Sequence, residues 1–394
     1  MSLRIAGFLA LVGLGPYLCE RALFAAKVFT EKPGSLTRVD SFHSHTIEFA
    51  DRIRNCEDAI MLEEEGLAIT ACDNDRDWHN TVMNVFVPHE MQGASIYLYD
   101  YKDDAPKATQ LQQFRLIDFA PGTDFHSVGL RYNPSNQRLY VVSHAEAGPR
   151  IEVFKLDLGA VTATHLGSIQ HPLLHAPNSL YLLGDNEMYV TNDHHFVVKE
   201  SKYLSALETY LGPPLATVVH VKLRPDSSEV EAAQVVARVP FANGVAVVNA
   251  TTVAVSSTSR GRIYIFNRAA GGSGELTRRS TVMLPFLPDN LSRTRSGKLL
   301  VAGHGYPPAL NKYSETRHIC NDDEKLAAAD PKLKEYCATG SAVSGVVEWS
   351  EETGTRLLYF NDEYPTAATA VKDEGRGVGI IAGLYAKGLF VWRD

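Results

Sequence analysis

The sequence predicts an all-β fold, a six-bladed propeller behind an N-terminal targeting segment, and three observations carry that prediction. Short β-branched and aromatic runs, separated by Gly, Pro, Asn and Asp clusters, fill the middle of the chain. One two-strand pattern recurs six times. Oxygen-bearing side chains stand at matching places ahead of most of its copies.

The repeated unit is an apolar strand ending in small or polar residues, a loop, and an alternating strand rich in Tyr, Val, Phe or Ile. Its copies pair residues 66–70 with 94–99, 138–142 with 150–155, 187–191 with 217–222, 252–256 with 261–266, 298–302 with 345–349, and 377–381 with 387–392. Each has room for a strand before and after, which makes a four-stranded blade. The spacing is uneven, so two packed sheets stay open as the alternative. In a propeller the innermost strand of each blade lines the central tunnel. Those strands should begin near Glu57 and Asp58, Val128 and Gly129, Asn178 and Ser179, Asn243 and Gly244, Asp289 and Asn290, and Thr366 and Ala367.

Other segments depart from the repeat. Arg4 precedes an apolar run over residues 5–18, and a charged pair, Glu20 and Arg21, follows it. That is the length of a signal-peptide core and short for a spanning helix. The division is therefore 1–29 as signal peptide or signal anchor and 30–394 as propeller. It places the protein in the secretory pathway, secreted or membrane-anchored. Residues 197–211 show helical spacing at Tyr203, Leu207 and Leu211 and are expected to cover one face of the blades. Residues 305–340 form a long insertion inside the fifth copy, with Pro307 and Pro308 at its start and a helix expected over 324–336; a loop of that size is usually functional. Residues 73–91 make a similar excursion. Asn249 opens a glycosylation sequon with Thr251.

Composition narrows the function. Of 394 residues, 45% are apolar and 21% charged, and the net charge of −8 comes without a basic run, so nucleic-acid binding has no electrostatic support. Cys19 lies in the targeting segment, leaving Cys56, Cys72, Cys320 and Cys337, which allow three pairings. Local pairing is the simplest, since a hairpin about residue 64 sets Cys56 opposite Cys72, and Cys320 and Cys337 bracket one polar stretch. There is no Cys/His zinc spacing, P-loop, Rossmann fingerprint or Gly-x-Ser-x-Gly elbow.

The matching inner-strand positions carry the chemistry. Calcium takes about six to eight oxygens from carboxylates, amides, backbone carbonyls and water. Glu57, Asn178, Asn243, Asp289 and Asn290 supply that mixture, and no Cys or His among them favours zinc. An ion with open coordination can polarise a carbonyl while a general base activates water. His126, His144, His194 and His304 fall at equivalent strand ends and are the candidate bases.

At these residues the sequence resembles the paraoxonase/arylesterase family of calcium-dependent esterases and lactonases. The resemblance runs from about Cys56 to the C-terminus. It is most specific at residues 56–58, 191–194, 241–244, 288–292 and 386–390. It implies a six-bladed propeller with two calcium ions in its tunnel. Glu57, Asn178, Asn243, Asp289 and Asn290 would hold the catalytic ion. Asp58, the backbone carbonyl of Leu130 and a carboxylate at position 179 would hold a structural one. Position 179 is Ser179 here, which weakens that second site. The family's proton-accepting histidine is replaced by Val128, while His144 matches its partner. His126 would then substitute, or Asp289 or His304 assist, and Gly303 stands where the family has a free cysteine. The implied activity is hydrolysis of a small-molecule ester or lactone, with membrane or lipid-surface association through the N-terminus. The alternative is a non-catalytic, calcium-stabilised propeller that binds a hydrophobic ligand or a partner. A sugar-lactone hydrolase or strictosidine-synthase-like propeller is disfavoured by the Asp289–Asn290 pair.

Overall fold

The computed structural model describes residues 3–102, 109–120, 122–225, 227–269 and 272–394, with side-chain surroundings from residue 14 onward. The first two residues of the expected targeting segment lie outside the described residues. Six sheets follow one another along the chain, each built on consecutive antiparallel strands, with one parallel edge strand added to the second and N-terminal strands added to the fifth and sixth. Their innermost strands are Asp58–Leu62, Ser127–Asn133, Pro177–Gly184, Ala242–Asn249, Leu287–Arg293 and Ala367–Asp373. They begin within two residues of the expected positions, and the packed-sheet alternative is excluded. The last sheet is completed by the N-terminal strand Ser44–Glu48, which pairs with Leu389–Arg393 and closes the ring. Closure across the chain ends leaves the first and last blades no free seam.

The core is not one mass but six wedges, each between neighbouring blades. Ile69, Leu98, Leu130 and Phe154 fill the wedge between blades one and two, and Val142, Val153, Leu180 and Val219 the next. The second strand of each blade is buried on both faces, as at Leu139 to Val142. That is why those strands read as unbroken apolar runs.

One irregularity positions the site. In blades two to five the pairing of the innermost strand slips by one residue at its start, between Ser127 and Leu130, Pro177 and Leu180, Ala242 and Val245, and Pro288 and Leu291. Such bulges twist a strand end and re-aim its side chains. They fall on the pairs that carry Asn178, Asn243, Asp289 and Asn290. Neighbouring blades also meet closely here. A Cβ on Gly244 would lie 2.4 Å from the backbone nitrogen of Leu291, and one on Gly129 would lie 2.5 Å from the carbonyl of Asn178. Only glycine permits that approach.

The additions are helical. Leu3–Val28 forms a helix whose C-terminal part docks on the propeller through Phe24 and Val28, both buried. Among the described residues no helix is long and apolar enough to cross a membrane. Helix Lys202–Leu211 starts at Ser201, whose hydroxyl caps it, and ends at Gly212. It covers one face of the blades as expected and turns its polar side inward. Tyr203, Leu207 and Leu211 are exposed, while Ser205 and Glu208 are buried, Glu208 accepting the backbone N–H groups of His195 and Phe196. The polar face is satisfied inward and the apolar stripe is left outward. The insertion holds three helices, Pro307–Cys320, Asp323–Ala328 and Pro331–Thr339, because Asp330 and Pro331 break the single helix expected there. Cys56 bonds Cys72 and Cys320 bonds Cys337, while Cys19 is free and exposed.

Candidate active site

Glu57, Asn178, Asn243 and Asp289, from four different blades, open onto one cavity of about 640 Å³. That is within the roughly 300–1,000 Å³ of small-molecule sites. Asn290 is buried beside Asp289 and does not line it. The side chains are held by their amide and carboxylate edges. Asn178 Nδ2 donates to Asp193 at 3.2 Å, Asn243 Nδ2 donates to Thr258 at 3.2 Å, and Asp289 Oδ2 pairs with His304 Nε2 at 3.0 Å. Hydroxyls of one blade hold the next: Thr191 donates to the carbonyl of Asn243 at 2.7 Å, and Ser256 to that of Asp289.

The opposite edges are the informative ones. Asn178 Oδ1, Asn243 Oδ1, Asp289 Oδ1 and Asn290 Oδ1 are buried and have no hydrogen-bond partner among the described residues. Buried acceptors are rarely left so, and each exception calls for a reason such as an ion. Burial pushes Glu57 up to about 8, with the Arg76 charge opposing and Asp289 adding to the rise. Unpaired amide and carboxylate oxygens beside two carboxylates are the donor set of a hard cation, and these residues fit a calcium ion, with the Arg76 guanidinium donating to Glu57 from one side.

The histidines divide into distinct roles. His144 is tied at both nitrogens, to the Thr81 hydroxyl and the Pro177 carbonyl, each at 2.5 Å. Burial lowers its pKa, which keeps the ring neutral. His194 is likewise tied, to Asp193 at 2.9 Å and Thr209 at 2.7 Å. His126 differs. Its Nδ1 pairs with Asp73 at 3.2 Å, and its Nε2 makes no hydrogen bond among the described residues but lies 3.5 Å from Asp124 Oδ1. Burial alone would lower its pKa, but the Asp73 bond and the charges of Asp73, Asp124 and Asp75 outweigh that and raise it. His79 stacks on the His126 ring, centroids 4.6 Å apart. Val128 packs its side chain among Tyr140, Val142 and Leu180.

Sequence reasoning missed three contributors. Arg76, on a short turn of helix at Asn74–Asp77, is buried and donates to Glu57 and to the carbonyl of Ser127. Asp73, beside it, orients His126. The outer wall of the cavity comes from the N-terminal helix, through Ala22, Ala25, Val28 and Phe29, and from the insertion, through Pro307 and Leu310. A lone Arg in an acidic loop was the one available signal for the first. The Asp58 carboxylate and the Leu130 carbonyl lie together, and both accept from Arg131 Nη1, at 3.0 and 2.6 Å.

The family model Arylesterase matches residues 38–323, which is most of the chain. The chain belongs to the arylesterase family. Its relatives include human serum paraoxonase/arylesterase 2, 32% identical over 35% of this chain and 38% of that protein. The dog protein of the same name is 30% identical over 56% of this chain and 60% of that protein. The matched region thus spans less than two thirds of either relative. A gluconolactonase from Xanthomonas campestris has the same fold, with a TM-score of 0.51 and 16% identity over 90% of this chain and 93% of that one.

Proposed function

We propose that the chain is a calcium-dependent hydrolase of lactones or aryl esters acting at the axial cavity. The observation that carries the reading is the set of four buried, donor-free oxygens on Asn178, Asn243, Asp289 and Asn290 beside Glu57. A bound calcium would polarise the substrate carbonyl as a Lewis acid. Asp289 would keep one oxygen toward the ion, its other carboxylate oxygen being held by His304. His126 is the group suited to take a proton from the attacking water: Asp73 holds its Nδ1 and leaves Nε2 to receive the proton. His144 serves as a positioning residue, fixing the Pro177 carbonyl next to Asn178. The apolar walls from Val28, Phe29 and Leu310 suit the hydrophobic part of an ester and limit water.

The N-terminal helix supports residence in the secretory pathway as a retained segment, and two disulfides agree with an oxidising compartment. Asn249, exposed at a strand end, is suited to glycosylation. The exposed apolar side chains Leu14, Leu18 and Leu23 on this helix and Tyr203, Leu207 and Leu211 on Lys202–Leu211 suit a lipid surface. The propeller would then lie on the membrane rather than be threaded through it.

A panel of lactones and aryl esters, assayed with calcium and after EDTA, tests the proposal. Turnover should vanish on chelation, return with calcium, and be abolished in Asp289→Ala. A calcium-loaded chain that turns over nothing on the panel would instead favour a non-catalytic, ligand-binding propeller. The specific observation on that side is Val128, whose apolar side chain packs into the wedge between blades two and three.

A further inference from the structure

Asp58 is fully buried at the axis, one residue beyond Glu57, and its carboxylate is met from three blades. Oδ1 accepts from Ala59 N–H of its own blade and from the Thr369 hydroxyl of the sixth, both at 2.9 Å. Oδ2 accepts from the Leu130 N–H at 2.9 Å and from Arg131 Nη1 at 3.0 Å, both of the second. The same Nη1 donates to the Leu130 carbonyl at 2.6 Å, and Nη2 reaches the Leu291 carbonyl of the fifth blade at 3.2 Å. One guanidinium therefore joins the buried carboxylate to backbone carbonyls of two further blades. A carboxylate plus carbonyls converging on a positive charge is what a structural cation would otherwise gather. Serine at position 179 offers a hydroxyl in place of a carboxylate, and its Oγ is buried without a hydrogen-bond partner. A metal ion bound there as well would stand next to the guanidinium with only one carboxylate between them, so these residues do not fit a second ion.

We propose that Arg131 is a tethered cation that takes the place of a second, structural metal ion, so that the propeller axis is pinned by the chain itself and one divalent ion binds per chain. The fork geometry matters: a planar guanidinium can serve Asp58, Leu130 and Leu291 together, which an ammonium cannot. The inference rests on the axial-ion reading for the count of one, but not for the role of Arg131.

Two measurements on the whole protein test it. Elemental analysis and calorimetric titration with calcium should give one ion per chain for the wild type; two ions overturn the proposal. Thermal melts in EDTA should show Arg131→Met falling by roughly 4–6 °C and Arg131→Lys recovering only part of that. A melting temperature for Arg131→Met equal to the wild type overturns it equally. The double variant Arg131→Ser/Ser179→Asp reinstates a carboxylate pair; it should bind a second ion and regain stability when calcium is added. If it binds no more calcium than the wild type, the idea that Arg131 replaces an ion fails. A wild type that binds no ion sinks the axial-calcium reading, and the Arg131→Met melt in EDTA then decides the tethering role alone.

Discussion

Stripping divalent cations from the folded protein should lower its melting temperature by about 3 °C or more. The magnitude follows from the ring of acceptors. Each buried acceptor without a donor costs about 1–3 kcal/mol, so the four oxygens on Asn178, Asn243, Asp289 and Asn290 leave the ion-free ring with roughly 4–12 kcal/mol of strain to relieve. An ion that relieves it binds the folded chain and not the unfolded one. Linkage then gives about 2.7 kcal/mol of stabilisation at one hundred times the Kd, and about 4.1 at one thousand times. At about 2.1 cal/mol/K per residue, a chain of this length unfolds with roughly 0.8 kcal/mol/K of entropy, so the shift is about 3–5 °C. The assay is differential scanning calorimetry in EDTA and then across a calcium titration, with magnesium as control. Asn243→Leu sharpens it. The near-isosteric change removes an unsatisfied acceptor, so it should leave the EDTA melt within about 1 °C of wild type while losing most of the calcium response. Superimposable wild-type melts with and without calcium would refute the reasoning. So would a full calcium response in Asn243→Leu.

The remaining predictions concern the base, the disulfide and the surface. Because Asp73 and its acidic neighbours raise the His126 pKa, and the base must be neutral, kcat/KM should rise with pH to a midpoint above the ordinary histidine value of about 6.5. Asp73→Asn should bring that midpoint down and lower the plateau. In stability the sign is opposite: the His126–Asp73 pair contributes fully below about pH 6.5 and is lost as pH climbs through the raised value, which acid-to-neutral melts of wild type and His126→Gln should show. Replacing Cys56 and Cys72 by Ser opens a loop of separation 16 and should cost about 3 kcal/mol, near 4 °C. As Cys56 adjoins Glu57, calcium titration of that variant should also show weaker binding, whereas the Cys320/Cys337 pair of serines should alter the melt alone. Leu207→Ser with Leu211→Ser should weaken sedimentation with phosphatidylcholine vesicles by at least about tenfold, since each exposed leucine buried in lipid contributes about 1.5–3 kcal/mol.

Much of this was legible because propeller strands repeat their chemistry. The inner strands begin close to where the alternation placed them, and Glu57, Asn178, Asn243 and Asp289 reach one cavity because equivalent positions of equivalent blades converge on the axis. Arg76 and Asp73 were not legible, since they lie outside the repeat on an excursion whose path only packing fixes. The helix Lys202–Leu211 was legible as a helix over one face of the blades, where it lines the axial cavity through Ser205, Ala206 and Thr209, but which of its sides turns inward was not. Periodicity locates an apolar stripe, but the buried hydrogen bonds of Glu208 chose the side that faces inward.

The sequence by itself pointed to six repeated strand pairs, the oxygen-rich character of the axial positions and local pairing of the cysteines as the simplest arrangement. Each depends on residues near one another in the chain or repeated along it. The tertiary structure decided which histidine nitrogens are hydrogen-bonded, that His144 is bonded at both and His126 at Nδ1 alone, and that Arg131 joins blades two, one and five at Asp58. Those outcomes turn on distances of about three ångströms between residues scores of positions apart, and a hydrogen bond's dependence on such distances leaves no trace in spacing along the chain.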